Sequence, residues 1–408
     1  MKPGYKQTDV GIIPEDWRYL PITKVARLES GHTPSKRRSD YWGGGINWVS
    51  LFDSKGLSRN EISTTEKTIT EEGLNNSSAR LLPAGTVVFS RTATVGKTSV
   101  MASSMATSQD FANYICGSDL HNIFLVYLFR GMGRTWKTLM AGSIHNTIYM
   151  PTFKALKIPV PPLPEQKAIA AALSDTDELI ESLEKLLTKK REIKQGTMRE
   201  LLTGLRRLPG FSAEWETKRL NQLADIRSGG TPSTSQSEYW DGDILWCTPT
   251  DITRLNGHKY LSDTSRKITL LGLHVSSSEL IPENSIIMTS RATIGECAIN
   301  LRPLCTNQGF KNFIPFDGVS FEFLYYLLSA QKQKFISLCG GSTFLEISKS
   351  QLVVYEVQVP DEKEQTAIAS ILSAIDAELT TLETKLQKAH RLKQGMMQEL
   401  LTGRIRLV

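Results

Sequence analysis

The sequence predicts an α+β protein built as a pseudo-twofold tandem repeat. Two similar mixed α/β domains are separated by two long, antiparallel, coiled-coil-like helices. Three observations predict this. The 408-residue chain matches itself at an offset of 198 to 199 residues. Each copy opens with roughly 150 residues of short β-branched runs broken by Gly, Pro, Ser and Asn. Each copy closes with about 40 proline-free residues in a heptad rhythm.

The repeat spans nearly the whole chain. SGHTPSKRRSDYWGGGINWVSLFD at 30–53 returns as SGGTPSTSQSEYWDGDILWCTPTD at 228–251. Thr107, Gln109, Phe111, Asn113 and Ile115 return as Thr306, Gln308, Phe310, Asn312 and Ile314. Trp17 pairs with Trp215, and the Glu-Gln of 165–166 with that of 364–365. Two domain-sized copies are not a solenoid. The copies divide the chain at 1–160, 161–208, 209–359 and 360–408. Within the mixed parts, β-branched runs such as Thr86-Val87-Val88-Phe89 and Ser285-Ile286-Ile287-Met288 read as strands between turns.

The helical parts follow from proline and period. Pro159, Pro161, Pro162 and Pro164 precede the first, and proline suits only a helix's first turn. The first seam is Ile169, Leu173, Thr176, Ile180, Leu183, Leu187, Lys190, Lys194, Thr197 and Leu201. The second is Ile368, Leu372, Ile375, Leu379, Leu382, Leu386, Ala389, Lys393, Met396 and Leu400, with Lys393 its one polar break. Either each helix lies on its own domain or the two pair with each other, and equal seams favour pairing. Glu165, Gln166, Glu364 and Gln365, at the helix starts, join the apolar seam residues as expected partner-facing positions. Both helices end in Leu-Leu-Thr-Gly, whose glycine suits a left-handed cap. Gly196 and Gly395, earlier in each helix, predict a kink or close packing. A pair about 60 Å long would act as a ruler between two domains.

Composition narrows the function. Hydrophobic content is 40% and charged content 22%, ordinary for a globular protein. The net charge of +6 and pI near 8.9 agree with a nucleic-acid partner. No apolar run reaches membrane-spanning length, and nothing at Met-Lys-Pro-Gly-Tyr-Lys reads as a signal peptide. Five scattered cysteines without a Cys-x-x-Cys pair argue against a zinc ribbon and for the reducing cytoplasm.

Catalytic motifs fail one by one. Gly96-Lys97-Thr98 lacks the glycine that a P-loop requires five residues before Gly96, where Arg91 stands. Gly131-Met132-Gly133 runs into Trp136 where a dinucleotide loop needs glycine. No Asn/Asp-Pro-Pro-aromatic run is present. His121 and His145 have no histidine counterparts in the second copy. Pro360-Asp361-Glu362-Lys363 reads as the turn that starts a helix. The chain is therefore expected not to be an enzyme.

The candidates for contacting DNA lie in loops. Thr33, Ser35, Lys36, Arg37 and Arg38 form the most basic turn of the first copy. Its counterpart is polar and uncharged, with Thr231, Ser233 and Gln236. Arg91 and Thr92, and Ser290 and Arg291, follow predicted strands. Arginine there suits guanine O6/N7, and Gln109 and Gln308 suit adenine edges. Lys311 completes the set. Phosphate contacts would supply affinity and base edges specificity. Trp42, Trp48, Trp240 and Trp246 read as core rather than stacking platforms. The basic run Lys185, Lys189, Lys190, Arg191, Lys194, Arg199, Arg206 and Arg207 is a candidate for the DNA backbone or a protein partner, with a solvated face as the alternative.

Ser-Gly-x-Thr-Pro-Ser followed by Tyr-Trp opens each mixed domain. Pro-Leu-Pro-Glu-Gln-x-x-Ile-Ala opens the first long helix, and Gly-Tyr-Lys-x-Thr-x-x-Gly-x-Ile-Pro-x-x-Trp opens the chain. In this order, and duplicated, these motifs resemble the specificity (S, HsdS-type) subunit of type I restriction–modification systems. The resemblance implies two target-recognition domains (1–160 and 209–359), each reading one part of a split double-stranded DNA site. It implies two conserved helical spacers (161–208 and 360–408) that carry two methyltransferase (M) subunits, with restriction (R) subunits completing the complex. S-adenosylmethionine, ATP and Mg²⁺ would belong to M and R, with no cofactor on this chain. Val-Pro-Asp-Glu-Lys-Glu-Gln at the second helix departs from the proline-rich pattern, implying some asymmetry between the M sites. A stand-alone homodimeric DNA-binding regulator is the alternative, and an enzyme with an unrecognised site a third.

Overall fold

A computed structural model describes residues 4–9, 11–140, 146–339 and 345–407. The chain forms two compact units. Unit one is Met1–Glu184 with Lys385–Val408, and unit two is Lys185–Thr384. Both boundaries fall inside the long helices, Leu163–Leu201 and Glu362–Leu400. Unit one thus draws in the end of the chain.

Each unit is built on a five-stranded sheet. In unit one its order is Ala26–Ser30, Phe111–Cys116, Val87–Ser90, Thr98–Met101, Glu61–Ile62. In unit two it is Ala224–Ser228, Phe310–Pro315, Ile286–Thr289, Cys297–Asn300, Tyr260–Leu261. The central runs VVFS and IIMT are buried along their whole length. The period of two explains why. Val87 and Phe89 face one apolar cluster while Val88 faces another. Ile286 and Met288 divide from Ile287 in the same way.

A three-stranded sheet flanks each large one, centred on Trp42–Val49 in unit one and Trp240–Cys247 in unit two. A two-stranded ribbon ties each domain's start to the approach to its helix. Arg18–Pro21 pairs with Lys157–Val160, and Glu216–Arg219 with Glu356–Val359. Pro159 is tolerated there because the ribbon has only two strands.

The long helices satisfy both sequence alternatives at once. Ile169 and Leu173 join the core of unit one, and so do Leu400 and Leu401 from the other helix. Ile368, Leu372, Leu201 and Leu202 do the same in unit two. Within each unit the helix segments also meet each other, antiparallel. Asp177 pairs with Lys393 and Glu184 with His390 in unit one. In unit two Lys194 pairs with Asp376, Arg191 with Glu383 and Lys190 with Glu378.

Helix ends follow the local chemistry. Pro162 and Pro164 flank the first helical turn, where the amides have no intrahelical partner. At the second helix Asp361 accepts from the Glu364 amide at 2.9 Å, so this turn is a cap. Gly204 and Gly403 take positive φ after the helices, as the repeated Thr-Gly predicts. A β-carbon on Gly403 would also sit 2.4 Å from the Pro14 ring.

Gly196 and Gly395 lose one of the two reasons expected for them. A β-carbon at either would meet nothing within 4 Å, so close packing is not their reason. Gly196→Ala and Gly395→Ala should each stabilise the chain by about 1 kcal/mol, read as a shift in urea midpoint at constant slope.

Candidate nucleic-acid interface

The candidate loops are assembled by a duplicated framework of tryptophan and glycine. Trp42 and Trp48 stack edge to face at 5.0 Å, and Trp240 and Trp246 at 4.9 Å. Their indole N–H groups hold the preceding loop by its backbone. Trp48 donates to the His32 carbonyl and Trp42 to that of Ser35. Trp246 donates to Gly230 and Trp240 to Ser233. The tryptophans are therefore scaffold, as their sequence reading has it. Gly31 and Gly229 lie so close to the turns after Thr107 and Thr306 that a β-carbon would come within 2.2 Å of a backbone carbonyl.

This scaffold gathers candidates about 75 residues apart in sequence. The Thr33 hydroxyl donates to the Gln109 side-chain oxygen at 2.5 Å, and Thr231 bonds Gln308 in the same way. Each glutamine is exposed, with its amide nitrogen left to donate. Arg91 donates to the carbonyls of Gln109 and Ile148, so it braces this turn rather than reaching outward. Thr92 bonds Asp110, which also accepts from Ser108. In unit two the shaft of Arg291 lies over Gly309 of the matching turn.

The remaining loop residues divide. Ser35, Lys36 and Arg37 are exposed, and neither cation has an ion pair among the described residues. Arg38 is committed: it grips Asp40 at 2.6 and 3.0 Å and lies 5.0 Å from the Tyr41 ring. That hydrogen bond holds the Asp40 carboxyl below its ordinary pKa. Ser233 and Gln236 are exposed, as predicted for a polar counterpart.

Two candidates leave the surface set. Ser290 is fully buried and Lys311 is 6% exposed. The Lys311 ammonium lies 3.4 Å from the Ser290 hydroxyl and 3.5 Å from Glu346. Lys311 lies in the buried strand Phe310–Pro315 and Ser290 directly follows the buried strand Ile286–Thr289, so both turn inward.

The basic run on the first helix is also largely spoken for. Lys190, Arg191, Lys194, Arg206 and Arg207 are all paired with carboxylates inside unit two. Sequence reasoning missed Arg266. It sits 3.7 Å over the ring of Trp240, whose indole holds the Ser233 carbonyl, so it lies beside a loop distant in sequence. Its signal was positional: Lys67 holds the matching place and lies over Phe52.

Glu165, Gln166, Glu364 and Gln365 were expected to face a partner, and the structure turns them inward. Glu165 and Glu364 are each 1% exposed. Glu165 accepts from the Trp17 indole at 3.0 Å and from Nε and Nη2 of Arg406. Glu364 accepts from Trp215 and Arg207 in the same manner. Gln166 takes the His121 amide and donates to the carbonyls of Asp119 and Pro161. Gln365 bonds the Ser320 amide and the Pro360 carbonyl. In each unit the motif locks the long helix onto its own domain. Of the seam residues, Ile169, Leu173, Ile180, Leu187, Ile368, Leu372 and Leu379 are buried, while Leu183, Ile375, Leu382 and Leu386 are half-buried.

Burial pushes the thiols of Cys116, Cys297 and Cys305 up to about 12, where thiolate is scarce at neutral pH. His121 caps a helix through its ring nitrogen, a task Ser320 performs in unit two. His145 lies outside the described residues. Among the described residues no group of three or more His, Cys, Asp or Glu converges as a metal site. No helix among them is long and apolar enough to cross a membrane.

A framework that repeats while its loop chemistry changes is what a paired DNA reader requires. The family model "Type I restriction modification DNA specificity domain" matches residues 14–195 and 212–391. The chain belongs to that family, with one copy in each half. Three relatives place it within the family. The MjaIX specificity subunit of Methanocaldococcus jannaschii is 41% identical over 40% of this chain and 38% of its own length. The putative MjaX specificity subunit of the same organism is 25% identical over 99% of this chain and 97% of its own. The EcoR124I/EcoR124II specificity subunit of Escherichia coli is 24% identical over 69% and 70%. Among solved structures, the S subunit from M. genitalium shares the fold at 16% identity, with a TM-score of 0.58 over 98% of this chain and 99% of that one. The HsdS subunit from Thermoanaerobacter tengcongensis has a TM-score of 0.53 at 18% identity, over 96% and 98%.

Proposed function

We propose that this chain is the non-catalytic DNA-specificity subunit of a type I restriction–modification complex. Each unit reads one part of a split site in double-stranded DNA. The carrying observation is that the family match, the tryptophan-braced loop and the Thr–Gln turn all occur twice, while the residues displayed between them differ. Lys36 and Arg37 stand in one loop where the other offers only polar groups. Identical framework with unlike contact groups gives two different readers.

The partners are two M subunits and, with them, R subunits. One structural neighbour comes from a type I system studied for its assembly, and it shares the fold at a TM-score of 0.59. S-adenosylmethionine, ATP and Mg²⁺ are assigned to those partners, and the complex to the cytoplasm. M docking falls on the outward faces of the long helices, since Glu165, Gln166, Glu364 and Gln365 are consumed internally. A homodimeric regulator is disfavoured by the seams themselves. Within each unit the helix segments already have a partner from the same chain, as Thr176 against Met396 illustrates at 3.5 Å.

Purified with M, the chain should direct adenine methylation to a bipartite site. Exchanging residues 209–359 for another family domain should change one half-site and leave the other. Methylome sequencing reads both outcomes. Unselective methylation by the wild-type complex, or an exchange that alters both half-sites, contradicts the assignment.

A further inference from the structure

The repeat supplies an internal control for one feature of unit one. A cleft of about 460 Å³ opens between the loop at Gly96-Lys97, the buried Trp136 and the long helix bearing Lys393. Its lining includes Lys97, Arg130, Lys137 and Lys393, and no carboxylate among the described residues. Asp177, which is not part of that lining, is shared: 2.5 Å from Lys393 and 4.0 Å from Arg130. Burial draws the Arg130 pKa below its ordinary value, so this single carboxylate does not offset its desolvation.

The matching place in unit two is neutralised from within. Lys97 is replaced by Glu296 and Gly133 by Lys332, and these two form an ion pair. The stem of Lys332 lies across Gly295. Lys137 is replaced by Ile336, and Asn60 and Ile123 by the paired Lys259 and Glu322. The two copies share the fold and Lys393 matches Lys194, yet the described lining in unit one keeps its cations where unit two places the Lys332–Glu296 and Lys259–Glu322 pairs.

We propose that this cleft is a phosphate-binding site, taking a phosphate mono- or diester group between Lys97, Lys137 and Lys393. The chemistry favours phosphate over carboxylate. The planar fork of Arg130, the usual bidentate partner of a carboxylate, is spent on the Asn60 side chain and the carbonyls of Ser58, Arg59 and Thr98. What remains is ammonium groups from three separate elements, point charges suited to a compact, multiply oxygenated anion. The Trp136 wall lowers the local dielectric and concentrates their field. The Lys97 ammonium already donates to the Ser54 carbonyl at 2.9 Å, which holds it at the rim with donors to spare.

The anion has two possible sources, a DNA backbone phosphate or a soluble phosphate. Only the first rests on the proposed function. The test is lysine acetylation read by mass spectrometry on the full chain, with inorganic phosphate or with a short duplex lacking both half-sites. The control variant, Lys97→Glu with Gly133→Lys, copies the ion pair of unit two. A β-carbon at Gly133 meets nothing within 4 Å, so the variant is accommodated, and thermal melting checks that it folds.

Phosphate, the duplex or both should slow acetylation at Lys97 and Lys137 severalfold in the wild type, and Lys137 should lose that protection in the variant. Protection by the duplex should come with a salt slope steeper by about one to two than the variant's. Protection by phosphate alone identifies a soluble anion. The inference is overturned if neither protects, or if Lys137 stays protected in the variant. Failure of the proposed function would show separately, as unselective methylation by the wild-type complex.

Discussion

Replacing Arg406 with methionine should lower the stability of unit one by about 3 kcal/mol. The reason is what it leaves behind. Glu165 is 1% exposed and holds its charge against Arg406 at 2.7 and 2.9 Å. Without Arg406 its one remaining side-chain donor among these contacts is the Trp17 indole. Breaking a buried pair from one side costs about 3–5 kcal/mol. The lower end applies because Arg406 is itself a quarter exposed, so water replaces part of its charge. Urea unfolding of the full chain measures the loss, and hydrogen exchange at residues 163–170 locates it. A double variant, Arg406→Met with Glu165→Gln, should recover most of the stability, because no buried charge is then orphaned. A loss under about 1 kcal/mol, or no recovery, rejects this account.

Asp16 adds a pH signature to the same cluster. Its hydrogen bond to Arg406 holds its carboxyl below the ordinary 3.8. A depressed carboxyl contributes stability that is complete above 3.8 and lost as pH falls through its folded value. The methionine variant should therefore show a shallower acid-side slope below about pH 4. Half of Asp16 is exposed, so this change is small beside the loss at Glu165.

The clamp also marks where sequence reading succeeded and where it stopped. The duplication, the paired helices, the tryptophan scaffold and the capping glycines were all legible, because each rests on local pattern: offset, heptad, alternation or turn chemistry. Glu165 and Gln166 were legible as important and were misassigned. A short conserved-looking polar pair at a helix start reads equally as a surface for a partner or as a lock onto its own domain. Only the tertiary placement of Trp17 and Arg406, 148 and 241 residues away, decides between them. Arg207 shows the same limit. Its place in a basic run suggested an anion outside the protein, yet its match to Arg406 in the repeat was available as a hint. Ser290 and Lys311 failed for another reason. Lys311 sits in a strand whose first four residues are all buried, and Ser290 directly follows another buried strand, so alternation carries no polar–apolar signal to show which way either side chain points.

The polar break in the heptad yields the second large expectation. Lys393 stands between Ala389 and Met396 in an otherwise apolar seam. Its ammonium lies 2.5 Å from Asp177, which also accepts from the Tyr127 hydroxyl at 2.7 Å. Unit two repeats the device with Lys194, Asp376 and Tyr326. Burial pushes the Tyr127 hydroxyl up to about 12, so it remains a donor at neutral pH. Lys393→Leu alone should destabilise unit one by about 1–3 kcal/mol, since Asp177, only about a quarter exposed, loses its nearer counter-charge and keeps only Arg130 at 4.0 Å. Replacing both Lys393 and Asp177 with leucine should return the stability to wild type or above it, because apolar packing matches a buried pair. What the double variant loses is register. A polar pair in an apolar seam specifies one alignment, whereas an all-apolar seam also tolerates a slip of one heptad. Thr176 and Met396 face each other across this seam at 3.5 Å. Thr176→Cys with Met396→Cys should crosslink efficiently in the wild-type background. In the leucine double variant that yield should fall, and Thr176→Cys should begin to crosslink with Ala389→Cys. If the 176–396 crosslink stays exclusive, the seam's shape and not its ion pair sets the register. If the slip appears, the residue that seemed to interrupt the heptad is the one that gives the helix pair a single length.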